Sequence, residues 1–300
     1  MEKVELVPGL KVSKVIHGYW RLNQWNISTS ELVSLMGKLI DIGVDTFDNA
    51  DIYGDYECEE IFGRAVAMQP QFRSRMKLIT KCGIMLTSAK FPQRELKHYD
   101  YSIKHIVTSV NRSLKNFRTD YIDLLLLHRP SPMLNPIEVA EAFNLLKSQG
   151  KVNFFGVSNF NAVQFEMLQS YLDFPLATNQ IEISPYNLEH FDNGNLDYLI
   201  KQRVKPMAWS PLGGGQILKP TDPKGERILK ALQKVSLELG FSNVETAVYA
   251  WLFSHPAGIV PIVGSGKFNR VKLAVEAVDY KLTSEQWFRI YSASKGEDVP

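Results

Sequence analysis

Apolar residues along this chain alternate between two rhythms. Short, nearly continuous apolar runs begin near Val15, Val44, Lys77, Ile122, Asn153, Ala177, Lys205 and Ile259, with the length and density of strands buried on both faces. Between them the apolar positions fall at helical spacing. Residues 29–41 place Leu32, Leu35, Met36, Leu39 and Ile40 on one stripe, and Gly43 follows as a terminator. Residues 103–117 repeat the pattern with Ile103, Ile106, Val107, Val110, Leu114 and Phe117 after a Ser102 cap. Residues 136–149 have Asn135 as cap, Pro136 at the first helical position and Gly150 just beyond the end. Eight strands separated by helices predict an α/β fold, a closed (β/α)8 TIM barrel.

Several segments exceed the basic repeat. Residues 4–7 and 10–14 flank Pro8-Gly9 and predict an N-terminal hairpin. Helical patterns at 226–239 and 244–254 precede the eighth strand, and another at 284–294 follows the last barrel helix. Long irregular stretches span 83–101 and 211–225, and connections of that length are commonly functional or mobile. No Pro/Gly/Ser linker or short repeat divides the chain, so one domain, 1–300, is expected.

Composition narrows the class. The chain is 45% hydrophobic with a formal charge of +2, and its dispersed Lys and Arg argue against a nucleic-acid surface. No apolar run approaches the roughly 20 residues of a membrane span. The N-terminal MEKVELVPGLKV carries Glu and lacks a signal-peptide core. Cys58 and Cys82 match neither a metal spacing nor a disulfide framework. A reducing cytoplasm, no membrane partner and a monomer are the expectations.

The candidate chemistry sits at strand ends. Asp48 closes VDTFD, Tyr53 lies five residues on, Lys81 closes KLITK, and His128 follows IDLLLL. A phenol with a pKa of about 10 is a poor acid or base at neutral pH. A nearby ammonium favours its phenolate, Asp48 can hold that ammonium, and His128 can hydrogen-bond a carbonyl oxygen. A phenol protonating a carbonyl oxygen while hydride reaches the carbon is carbonyl reduction, and the hydride must come from a cofactor. Each residue alone has an ordinary reading, such as a solvated strand end, a turn cap or a loop aromatic; their conjunction carries the functional one.

These residues lie in a longer series: GYWRL (18–22), TFDNADIYG (46–54), LITKCG (78–83), DLLLLHRP (123–130), FGVSNF (155–160), TNQIEISP (178–185), MAWSPLGGG (207–215) and PIVGSGK (261–267). The chain resembles the aldo-keto reductases over nearly its whole length, and within them the bacterial YdhF-type oxidoreductase branch. The resemblance implies an NADPH-dependent reductase acting on small aldehydes or ketones, with Tyr53 as acid supported by Asp48, Lys81 and His128. It also implies cofactor contacts. Ser158, Asn159 and Gln180 match the residues that hold the nicotinamide carboxamide, and Trp209 stands where the family places a stacking aromatic. Gly18, Trp20 and Arg21, and the segment Ser210, Pro211, Leu212, Gly213, belong to the same implied cleft.

At the last strand Gly264, Ser265 and Gly266 precede Lys267 and Arg270, which suit a 2′-phosphate and favour NADP over NAD. The lysine-serine pair of better-known members is replaced by Ile262 and Val263, which moves that contact onto the Ser265–Arg270 segment. The spacing after Tyr53 also departs from the common pattern, with Glu59 and Gly63 slightly late. Trp20, Trp25, Tyr56 and Met85, with Tyr53, are candidates for an aromatic substrate mouth. Two other readings remain open: an NADP(H)-binding sensor subunit with little turnover, and a Schiff-base aldolase using Lys81.

Overall fold

The computed structural model describes residues 1–300. Twelve strands form in chain order: β1 Lys3–Val7, β2 Leu10–Ser13, β3 Ile16–Gly18, β4 Thr46–Asp48, β5 Lys77–Cys82, β6 Ile84–Met85, β7 His98–Tyr99, β8 Ile122–Leu127, β9 Val152–Ser158, β10 Asn179–Glu182, β11 Met207–Trp209 and β12 Val260–Val263. Eight of them close into a barrel in the order β10-β11-β12-β3-β4-β5-β8-β9, with parallel pairing. β1 and β2 pair antiparallel as the expected hairpin. β6 and β7 form a second antiparallel pair inside the stretch read as irregular at 83–101.

By compactness the chain divides into two units, Met1–Asn179 with Gly264–Gly266, and Gln180–Val263 with Lys267–Pro300. In the first unit β8 is buried at every position, and β5 at every position after Lys77, as strands covered on both faces must be. Asp123 is the polar exception in β8. Its carboxylate accepts from Arg73 Nη2 at 2.8 Å, Lys77 Nζ at 3.1 Å and the Leu78 amide at 3.0 Å, so its burial is compensated.

The helices of this unit form where local chemistry allows. Helix Thr29–Asp41 starts at a Ser28 capping box with Glu31 and buries the stripe Leu32, Leu35, Met36, Leu39 and Ile40. Ser102 and Asn135 cap Ile103–Phe117 and Pro136–Ser148. Gly63 lets helix Cys58–Met68 reach helix Ile103–Phe117: a Cβ there would meet the Asn116 carbonyl oxygen at 1.9 Å.

The second unit carries the extra helices. Pro223–Leu239 begins at an Asp222 cap, Val244–Phe253 is buried almost throughout, and Ser284–Lys295 begins at a Thr283 capping box. The first starts three residues earlier than its apolar stripe, because Asp222 and Pro223 set the first turn. Trp251 and Trp287 stack at 5.0 Å, and each indole donates to the other's backbone carbonyl. No helix is long and apolar enough to cross a membrane.

Candidate active site

In the first unit β4, β5 and β8 lie side by side with Asp48↔Ile79 and Lys81↔Leu126 in register. Their C-terminal ends therefore bring Asp48, Lys81 and His128 together. Lys81 is 1% exposed, which rules out a solvated strand end. Its ammonium donates to both Asp48 carboxylate oxygens at 2.8 Å, to the Asn49 carbonyl at 2.7 Å and to the Tyr53 hydroxyl at 3.0 Å. Burial opposes that charge, but the Asp48 carboxylate and the Tyr53 oxygen outweigh it and raise the Lys81 pKa. The group is an ammonium.

Tyr53 begins a single helical turn and then the chain twists abruptly. Gly54, Asp55 and Tyr56 all have left-handed φ, at 58°, 52° and 67°, a conformation costly for residues with a Cβ. At Gly54 a Cβ would also stand 2.6 Å from the Cys58 sulfur. The phenol's direction departs from expectation: burial raises the Tyr53 pKa, and the lowering by Lys81 does not overcome it, because Asp48 offsets that charge. The hydroxyl therefore keeps its proton at neutral pH. Since its oxygen accepts from Lys81, its own hydrogen points elsewhere.

The His128 ring lies edge-on to Tyr53 with centroids 5.8 Å apart. Its amide donates to the Cys82 carbonyl at 3.0 Å, and its Nδ1 is buried without a hydrogen-bond partner. Burial, reinforced by Lys81, Arg129 and Lys97, drives its pKa well below the usual histidine value, so the ring is neutral. Asn159 follows β9 at φ 63°; its side-chain amide donates to the His128 carbonyl at 3.2 Å and to Ser158 Oγ at 2.8 Å. Helix Ala162–Gln169 is capped by Asn161, which leaves Ser158 and Asn159 outside that task.

The remaining expected residues are placed as follows. Gly18 ends β3, and Trp20 stands 56% exposed with the Arg21 guanidinium 5.0 Å from its ring. Trp25 packs against His17 and Tyr19, and a Cβ on Gly266 would run into its ring at 2.8 Å. The buried His17 Nε2 lies 2.8 Å from the Ser265 carbonyl, so the segment Gly264–Gly266 is backed from within the same unit. Tyr56 departs from the expected substrate mouth. The left-handed run turns it inward, its ring meets Phe91, and its hydroxyl accepts from the Leu86 amide at 3.0 Å and from Arg94 at 2.7 Å. It fastens the 86–94 loop. Met85 belongs to β6, opposite His98.

In the second unit Gln180 donates to the Met207 sulfur at 3.9 Å, and Trp209 ends β11 half-buried. Ser210 is left-handed, and the Gly213 amide donates to its carbonyl at 2.8 Å; Pro211 and Leu212 complete that turn. Lys267 stands at the N-cap of helix Phe268–Glu276 with no side-chain capping bond and no acid in the first turn, and Arg270 lies within that turn. Cys58 and Cys82 are buried free thiols.

A group of buried polar residues behind Lys81 escaped the sequence reading. Asp51, Glu59, Ser109 and Ser113 are at most 2% exposed, and Arg112 reaches Asp51 across 61 positions. The only local signal was the unusually polar run Asp48-Asn49-Ala50-Asp51 directly after a strand.

Comparison with known proteins agrees with this geometry. The model of the aldo/keto reductase family matches residues 14–295. The chain is 51% identical over 300 residues to the uncharacterized oxidoreductase YcsN of Bacillus subtilis, covering 100% of both. It is 46% identical over 301 residues to the oxidoreductase YdhF of Escherichia coli, again covering 100% of both. To a 6-dehydroglucose reductase of Agrobacterium fabrum it is 37% identical over 300 residues, with 100% of both chains covered. The crystal structure of the thermostable aldo-keto reductase Tm1743 with the inhibitor epalrestat superposes with a TM-score of 0.82, covering 98% of this chain and 100% of that one at 23% identity, a likeness of fold. With an eight-stranded parallel barrel and a family match over almost its full length, this chain belongs to the aldo/keto reductase family of oxidoreductases.

Proposed function

We propose that the protein is an NADPH-dependent reductase of aldehyde or ketone carbonyls in which Tyr53 is the proton donor. The observation that carries this is the Lys81 ammonium, clasped by Asp48 and donating to the Tyr53 oxygen at 3.0 Å. The phenol keeps its proton until it is needed, and its conjugate base would be born against a fixed positive charge. His128, neutral and edge-on to the Tyr53 ring, would donate a ring N–H to the same carbonyl oxygen and orient it. Asp48 keeps Lys81 charged in a buried setting where an amine would otherwise shed its proton.

The residues present suit a reduced nicotinamide dinucleotide, which would supply the hydride. Ser158 and Asn159 offer the donors and acceptors a carboxamide needs, and the uncapped helix start at Lys267 with Arg270 suits an anion. The charged state of Lys81 disfavours the aldolase reading, since a Schiff base needs a neutral amine.

NADPH titration followed by a panel of aldehydes, ketones and quinones tests the proposal. That panel includes 6-dehydroglucose, because a relative covering the whole chain is named for it. Oxidation of NADPH on any member is the expected result; binding without turnover across the panel would transfer weight to the sensor reading. Tyr53→Phe should lose about 10²–10⁴-fold in kcat while NADPH affinity stays unchanged, and a fully active variant would remove the acid assignment. Lys267→Ala with Arg270→Ala should weaken NADPH by roughly 10-fold or more and leave NADH nearly untouched. Equal weakening of both cofactors would count against a 2′-phosphate at that helix.

A further inference from the structure

Tyr53 is held on Lys81 by a short loop, and the loop needs an anchor. It runs from Asn49 to Ile52, between the end of β4 and the left-handed turn at 54–56. Its backbone is tied inward: the Asn49 amide donates to the Ile79 carbonyl at 2.9 Å and the Asp51 amide to the Lys81 carbonyl at 3.1 Å. The Tyr53 amide donates back to the Ala50 carbonyl at 3.1 Å. These bonds fix the inner edge of the loop against β5. They leave its outer edge to be restrained by side chains, against a following turn whose relaxed conformation lies elsewhere.

The side chain that meets this need is Asp51. It is 2% exposed, and its Oδ2 accepts from Ser109 Oγ at 2.8 Å and from Arg112 Nη2 at 3.1 Å. Ser109 and Arg112 lie three residues apart on helix Ile103–Phe117, so they present adjacent donors from one face. The other oxygen, Oδ1, is buried with no partner. A second buried carboxylate, Glu59, stands near and accepts from Thr80 at 2.7 Å and Asn116 at 3.2 Å. Burial, then the Glu59 charge, push the Asp51 pKa up to about 7 against the opposing pull of Arg112 and Ser109. Desolvating this carboxylate is costly, and its two donors, both on helix Ile103–Phe117, offset that cost while tying the loop to the helix.

We propose that Asp51 is a positioning residue for the reaction, a clamp that pins the Tyr53 loop to helix Ile103–Phe117 through Ser109 and Arg112 and so keeps the phenol in reach of the Lys81 ammonium. The inference rests on the reductase reading for its kinetic consequence, though not for its structural one. Asp51 is 2% exposed and engaged by Ser109 and Arg112, so its part is positional. It acts on the Tyr53–Lys81 distance, and a displacement of about 1 Å at a reacting group can cost about 10²-fold in rate.

The test compares Asp51→Ala, Asp51→Asn and the double variant Ser109→Ala/Arg112→Ala. Asn keeps an acceptor for Ser109 and Arg112, whereas Ala does not. Asp51→Ala and the double variant should lose about 10²-fold in kcat with KM and NADPH affinity unchanged, and Asp51→Asn should stay within a few-fold of the parent. Hydrogen–deuterium exchange should speed up at 49–57 in the first two and not in Asp51→Asn. Full kcat in both clamp-less proteins, or exchange rising equally throughout the chain, would overturn the proposal. Equal impairment of the Ala and Asn variants would also overturn it, since charge and not the tie would then matter. If Asp51→Ala does not fold, the double variant decides alone. Should the parent reduce no carbonyl, the reductase reading fails, while the exchange contrast still decides the clamp.

Discussion

His17 shows how much one buried side chain commits the fold to a pH range. Desolvation lowers its pKa from 6.5 to about 4, and the hydrogen bond to Ser265 only partly resists. The folded value lies below the unfolded one, so in acid the unfolded chain binds a proton that the folded protein refuses. Stability is complete above about pH 6.5 and drains away toward pH 4, by roughly 2 kcal/mol at pH 5. His17→Gln keeps a donor for the Ser265 carbonyl and removes the titration. Its guanidinium midpoint should therefore fall less between about pH 7.5 and pH 5 than the parent's. Parallel losses in both would show that His17 is not the responsible group. Nothing in the sequence distinguishes this histidine from one on a wet strand end. Its burial arises from Tyr19, Trp25 and Phe47 closing around it, contacts made by folding.

Elements were legible to the degree that their ends are set locally. Helices Thr29–Asp41 and Ile103–Phe117 have the predicted bounds, because cap and terminator lie within a turn of the residues they govern. Strand starts moved by two residues at β4, β10 and β11, because a strand begins where its partner begins. β6 and β7, two residues each, are too short to show a period at all. The catalytic candidates were readable as polar residues closing apolar runs. The Asp51–Arg112 tie was not, because no local rule couples positions so distant. Gly63 links the two kinds of information. It sits late against the family spacing, yet it is the point at which helix Cys58–Met68 meets the Asn116 carbonyl and Phe117 Cα. Gly63→Ala forces a methyl group against the Asn116 backbone and should cost about 1–3 kcal/mol. Chemical denaturation would register this, and an unchanged midpoint would mean that the helices can slide apart freely.

The molecule as a whole combines a sheet that ends on itself with two small antiparallel pairs outside it. The barrel's strand order and its helical surroundings follow from the alternation of apolar rhythms, which any compact solution must satisfy. Less predictable was the division by compactness after Asn179, with Gly264–Gly266 assigned to the first unit. No composition change marks that boundary. The closure itself has a further consequence. A sheet with no first or last strand offers no row of unsatisfied amides and carbonyls to a stranger's chain. The rims left open belong to the two antiparallel pairs; on the N-terminal hairpin Glu5 and Lys11 face outward as a cross-strand pair, and charge at an edge discourages recruitment into fibrils. Resistance to amyloid-like growth is thus built into the same topology that gathers Asp48, Lys81 and His128 at one end of their strands.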